Sequence, residues 1–151
     1  MSIQYFDGDL LESGCDFICH QVNCKGVMGS GIAKSIKEKW PEVYNIYKYH
    51  CFHTDDLLGT VQVYELKNKQ TIINMFAQDN YGYNGIRYTS YDAFYDCLGN
   101  LILYIPKGGR IGFPYGIGCV RGGANWNIIE TMIKEVLEDN YQVEIWRFDK
   151  G

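Results

Sequence analysis

The sequence has only three prolines and three histidines, and no apolar run near the ~20 residues of a membrane span. No proline-rich linker, low-complexity segment or internal repeat divides it, so its 151 residues read as one domain, 1–151. Positive charge is in the minority, with 14 basic against 18 acidic residues and a net charge of −4. Such a chain has no general field for gripping phosphates, so general nucleic-acid binding is not expected. The first ten residues carry Asp7 and Asp9 and no cationic segment, unlike a signal peptide. The six cysteines contain no CxxC pair and read as reduced thiols of a cytoplasmic protein. The run His50-Cys51-Phe52-His53 ends a predicted helix and reads as a surface histidine pair beside a packed cysteine, so no metal is expected. There is no GxxxxGK[ST], which excludes a P-loop nucleotidase. At 46% apolar and 21% charged, the composition also excludes a disordered tail or a coiled coil.

Glycine is what the sequence has in excess, at 17 residues. Hydrophobic periodicity predicts strands over 3–6, 16–22, 60–66, 71–77, 110–114 and 142–148. It predicts helices over 32–39, from Pro41 onward, from Ser90 to about Leu103 and over 126–138. Strands alternating with helices argue for an α/β fold, a three-layer α/β/α sandwich around a mixed sheet.

Two glycine-rich loops leave the C-terminal ends of buried strands and feed helices. Three glycines fall within residues 26–31 and seven within 108–123. Glycine lets backbone N–H groups turn toward an anion, and a helix N-terminus adds about half a positive charge. Two such loops facing one crevice would hold a diphosphate from both sides without lysine or arginine. The bland alternative is that the glycines serve tight turns only. A nicotinamide-binding Rossmann unit would need an acidic residue about 20 positions on, at a strand end. Here that region, Tyr44 to Tyr49, is predicted helix.

The segment His20-Gln21-Val22-Asn23-Cys24-Lys25-Gly26-Val27-Met28-Gly29-Ser30-Gly31-Ile32-Ala33 resembles the first signature of the macrodomain family. Gly8-Asp9-Leu10 is similar to its early motif, Pro114 to Cys119 to its second phosphate loop, and Trp126 to its helix-opening tryptophan. The resemblance covers essentially the whole chain in order. It is nearest the branch of ADP-ribose 1''-phosphate phosphatases, terminal ADP-ribose glycohydrolases and antitoxins that remove ADP-ribose from DNA. It implies an ADP-ribose or ADP-ribose-derivative ligand, no cofactor and no metal. Asp9, beside the Leu10 backbone, would receive the adenine amino group. Gly29, Ser30, Gly31, Ile32 and Ala33 would hold one side of the diphosphate. Gly116, Ile117, Gly118, Cys119 and Val120 would hold the other. Asn23 would bind the distal ribose, and Trp146 would stack on adenine or serve as a core tryptophan.

The chain departs from the branch where its glycohydrolases act. The resemblance puts Gln78 where they have a lysine, and Val120, next to Arg121, where they have an aspartate. A lysine nucleophile is therefore missing there. His20, three residues before Asn23, matches the phosphatase-type pattern and is a candidate acid, base or nucleophile. On a strand, however, His20 shares a face with Val22 while Asn23 points the other way, so His20 reads equally as a core histidine. In the polar loop from Gln78 through Tyr83 to Thr89, Asp79 is a candidate to activate water. Arg87 or Arg121 is a candidate for a terminal phosphate. The expected activity is hydrolysis of ADP-ribose 1''-phosphate. An ADP-ribosyl hydrolase and a non-catalytic ADP-ribose reader are the alternatives. A monomer is expected.

Overall fold

The computed structural model describes residues 3–82 and 84–148; Tyr83 of the polar loop lies outside them. Among these residues six strands form one sheet. They are β1 (Ile3–Asp7), β2 (Phe17–Val22), β3 (Val61–Glu65), β4 (Thr71–Phe76), β5 (Arg110–Pro114) and β6 (Gln142–Arg147), in the spatial order β1-β6-β5-β2-β4-β3. All pairs are parallel except β3 with β4. Four helices cover the faces: α1 (Gly31–Lys39), α2 (Pro41–His53), α3 (Tyr91–Tyr104) and α4 (Trp126–Leu137). Both the predicted order and the mixed α/β/α layering are observed. No helix among the described residues is long and apolar enough to cross a membrane.

Each element follows from local chemistry. β4 is buried at every position, as expected of a strand covered on both faces. Ile129, Ile133 and Leu137 give α4 an i, i+4, i+8 stripe that packs with Phe94, Leu98 and Leu101 of α3. The Ser90 and Asn125 side chains cap α3 and α4, and Pro41 occupies the first turn of α2. Under α1 and α2, Ile18 and Ile72 pack with Ile36 and Val43, and farther along Val22 and Phe76 pack with Tyr47.

One carboxylate is buried mid-sheet. Glu144 of β6 is paired with Arg110 of β5, and it accepts hydrogen bonds from Trp146 Nε1 at 2.8 Å and Cys15 Sγ at 3.3 Å. Burial pushes its pKa up, but the bonds from Arg110, Trp146 and Cys15 outweigh this and hold it below the ordinary value. The stabilisation is therefore present above the unfolded-state carboxylate pKa and is lost as pH falls through the folded one. Replacing Arg110 by Met strands that charge and is expected to cost about 3 kcal/mol. Thermal unfolding should show a Tm drop of roughly 6–12 °C. Adding Glu144→Gln should recover most of it; a double variant no better than the single would disprove the pairing.

Candidate active site

A cavity of about 390 Å³ opens at the C-terminal ends of β2 and β5, within the range of small-molecule sites. Its walls are 21–23 at the end of β2, 29–33 entering α1, Gln78 with 81–82 after β4, and 114–118 with 120–121 after β5. Helices follow three of these strand ends, so the parallel topology brings the loops to one edge.

The α1 wall presents an unsatisfied helix start. Ser30 holds the N-cap position, but its side chain makes no capping hydrogen bond. The first intrahelical bond is Lys34 N–H to Ser30 C=O, so the N–H groups of Ile32 and Ala33 have no intrahelical acceptor. The facing loop alternates. The N–H groups of Tyr115, Ile117 and Cys119 donate to Trp146, Pro114 and Gly116 carbonyls at 2.8, 3.1 and 2.8 Å. Those of Gly116, Gly118 and Val120 have no protein partner among the described residues. The alternation depends on left-handed backbone at Gly116 (φ +75°) and Gly118 (φ +77°), which side chains other than glycine resist. The result is a set of N–H groups on two opposed walls with no internal acceptor, a concavity that attracts anions. Arg121 lines the same cavity.

The expected site residues fall in different places. His20 is fully buried and lines no part of the cavity. Alternation along β2 puts Ile18, His20 and Val22 under α1 and α2 and turns Gln21 to the cavity. His20 Nε2 lies 2.5 Å from Asn74 Oδ1, while Asn74 Nδ2 donates to Gln62. The Asn74 carbonyl therefore faces the ring, and Nε2 carries the proton. Asp79 also lies off the cavity, with its exposed carboxylate paired to Lys25 at 3.4 Å. Asn23 lines the cavity, but its Oδ1 accepts from Lys25 N–H at 2.9 Å and its Nδ2 donates to Val27 C=O at 2.9 Å. The Tyr47 hydroxyl is a further 2.9 Å neighbour of Oδ1. Its amide thus shapes the 23–27 turn, with one Nδ2 hydrogen still available at the cavity.

The residues expected at adenine lie beside the cavity lining rather than on it. Asp9 accepts from Leu11 N–H, Leu10 is core, and neither lines the cavity. Trp146 stacks on Phe6 at 4.9 Å and donates to Glu144, also off the cavity. Cys119 is not on the wall, and its N–H is taken. Gly29, Ser30, Gly31, Ile32, Ala33, Gly116, Ile117, Gly118, Val120 and Arg121 do line it.

Gln21 was not singled out from the sequence, although a polar residue within the apolar run 16–22 was the available signal. Its Nε2 lies 2.7 Å from Gln78 Oε1 and 2.8 Å from Thr89 Oγ1. Tyr81 and Tyr115 are the phenols on the wall among the described residues. Among the described residues the lining includes no carboxylate, imidazole or lysine. Burial pushes the Cys24 thiol up to about 11 and raises Cys119, so neither is a thiolate nucleophile at neutral pH.

No protein-family model matches the chain. Its sequence is 31% identical over 138 residues to a DNA ADP-ribosyl glycohydrolase of Mycobacterium tuberculosis, covering 87% of this chain and 37% of that protein. It is 30% identical over 99 residues to an ADP-ribose 1''-phosphate phosphatase of Meyerozyma guilliermondii, covering 61% of this chain and 55% of that one. The chain thus spans well under two thirds of these relatives. The solved macrodomain of Thermus aquaticus DarG superposes with a TM-score of 0.79 over 97% of both chains, at 25% identity.

Proposed function

Because the chain belongs to the macrodomain family, we propose that its cavity binds ADP-ribose derivatives and hydrolyses ADP-ribose 1''-phosphate. One observation carries the reading: opposed N–H groups on α1 and the 116–120 loop share a cavity with the Arg121 cation. The N–H groups suit a diphosphate, and a guanidinium suits a terminal phosphate monoester. In the reaction, water oxygen bonds to the terminal phosphorus and the bond from phosphorus to the ribose oxygen breaks. The water's proton reaches the departing oxygen, giving ADP-ribose and inorganic phosphate. With no side-chain base on the wall among the described residues, the substrate's own phosphate oxygens and solvent carry that proton. The chain contributes positioning and charge stabilisation.

Phosphorus NMR of ADP-ribose 1''-phosphate with the protein and a chelator tests this. Loss of the monoester signal with growth of free phosphate is expected. An unchanged monoester beside broadened diphosphate signals would replace the phosphatase with a binding module. Arg121→Gln is expected to lower kcat/KM about 100-fold, the loss of one charged contact in the transition state; an unchanged value removes Arg121 from the reaction.

A second reading, removal of ADP-ribose from DNA, is favoured by the 87% of the chain that aligns with the glycohydrolase relative. Against it, Gln78 is uncharged, and both ends of its amide are engaged, with Gln21 and with the Asn80 carbonyl. Release of ADP-ribose from a modified oligonucleotide, with 1''-phosphate left intact, would select it.

A further inference from the structure

The donors behind the 115–123 loop have a determinate direction. The Asn80 carbonyl can only accept, and it takes Gln78 Nε2 at 2.8 Å. Gln78 therefore turns its Oε1 to Gln21, which answers with Nε2. Gln21 Nε2 also donates to Thr89 Oγ1. Thr89 is 2% exposed, and its hydroxyl hydrogen goes to the Gly118 carbonyl at 2.7 Å. Ala124 N–H reaches that same carbonyl at 3.0 Å, and the other end of the peptide unit, Cys119 N–H, is held by Gly116. The Gly118–Cys119 peptide is thus fastened at both ends. Turning its carbonyl toward the cavity would break three hydrogen bonds.

We propose that Thr89 and Gln21 are positioning residues that lock this peptide, so that the 116–120 loop offers N–H groups and no carbonyl to the diphosphate. The inference rests on the ADP-ribose reading above. An inward carbonyl would set a negative dipole against the anion, so the lock governs affinity although Thr89 lines no part of the cavity. Close packing makes the arrangement specific. A Cβ on Gly122 would come within 2.0 Å of Thr89 Oγ1, and one on Gly118 within 2.8 Å of Gln21 Oε1. Gln21 Oε1 is itself buried and accepts nothing from the protein, so the glycines are what allow it to lie there.

The test is calorimetry with ADP-ribose, alongside steady-state kinetics on the 1''-phosphate. Thr89→Val keeps the shape and removes the hydroxyl. It is expected to raise Kd and KM at least tenfold with kcat within threefold, because the lost contact serves substrate and transition state alike. Thr89→Ser restores the donor and should bring Kd back to within threefold of the parent. A merely structural role would lower the active fraction at unchanged Kd, and serine would have no special claim to rescue. If Thr89→Val fails to fold, Thr89→Ala, which also removes the hydroxyl that holds the Gly118 carbonyl, is read the same way. Parent-like affinity in the folded variant overturns the lock while leaving the ADP-ribose reading intact. An unmodified protein that does not bind ADP-ribose overturns both.

Discussion

Replacing Gly29 by Glu is expected to abolish ADP-ribose binding and leave the fold intact. Gly29 lines the cavity, and it is not among the glycines with left-handed backbone. A Cβ there would meet only Val27 Cγ1, at 3.6 Å, which is ordinary contact. The side chain therefore enters without strain and brings a carboxylate to the wall proposed to hold the diphosphate. Two like charges about 5 Å apart repel by about 3 kcal/mol at an effective dielectric near 20, which exceeds a hundredfold in Kd. Calorimetry should show no saturable heat at concentrations that saturate the parent, with Tm within about 2 °C. Affinity within threefold of the parent would remove the α1 wall from the site. Gly118→Glu should also abolish binding, but it is the weaker test. The backbone there is left-handed, and the new Cβ would press on Gln21 Oε1, so the loop itself would be disturbed.

Acid should destabilise the protein through His20 while turnover at neutral pH does not depend on it. Burial pushes the His20 pKa down to about 4, only partly offset by the bond to Asn74. Its Nδ1 is buried without a partner, so protonation would place an unanswered cation between the apolar groups under α1 and α2. The sign follows from the depressed value. Between about 6.5 and 4 the unfolded chain binds the proton and the folded chain does not, so stability falls as pH falls. Over that window the loss from this group is roughly 3 kcal/mol. Urea unfolding at pH 7 and pH 4.5 should show the decline, and His20→Gln should flatten it. The same variant should keep kcat within threefold at pH 7, because His20 is buried and lines no part of the cavity. A hundredfold loss in a folded variant would return His20 to the reaction.

The element order, the layering and the two glycine loops were readable because they rest on local chemistry. Hydrophobic period, proline at a helix start, serine at a cap and glycine after a buried strand act within a few residues. The 29–33 and 116–118 segments were legible for the same reason: any strand–glycine–helix junction at a sheet edge exposes N–H groups. The sequence alone determined that two glycine loops and a helix start meet at this edge, the basis of the proposed anion site. Which side chains join it was decided by tertiary structure. A histidine in a buried strand can face either layer. Only the packing of Ile36, Val43 and Tyr47 on that face of β2 buries His20 and gives Gln21 to the cavity. Asp79 was drawn to Lys25 across a loop crossing that periodicity does not encode. The contact between Thr89 and Gly118 spans 29 residues. It exists because Gln78 pairs with Thr89 and the Gly122 carbonyl accepts from the Tyr88 and Thr89 N–H groups. Hydrogen-bond partners separated this far along the chain are chosen by the fold, which fixes distance and direction together. The residue types fix only what each group is able to donate or accept.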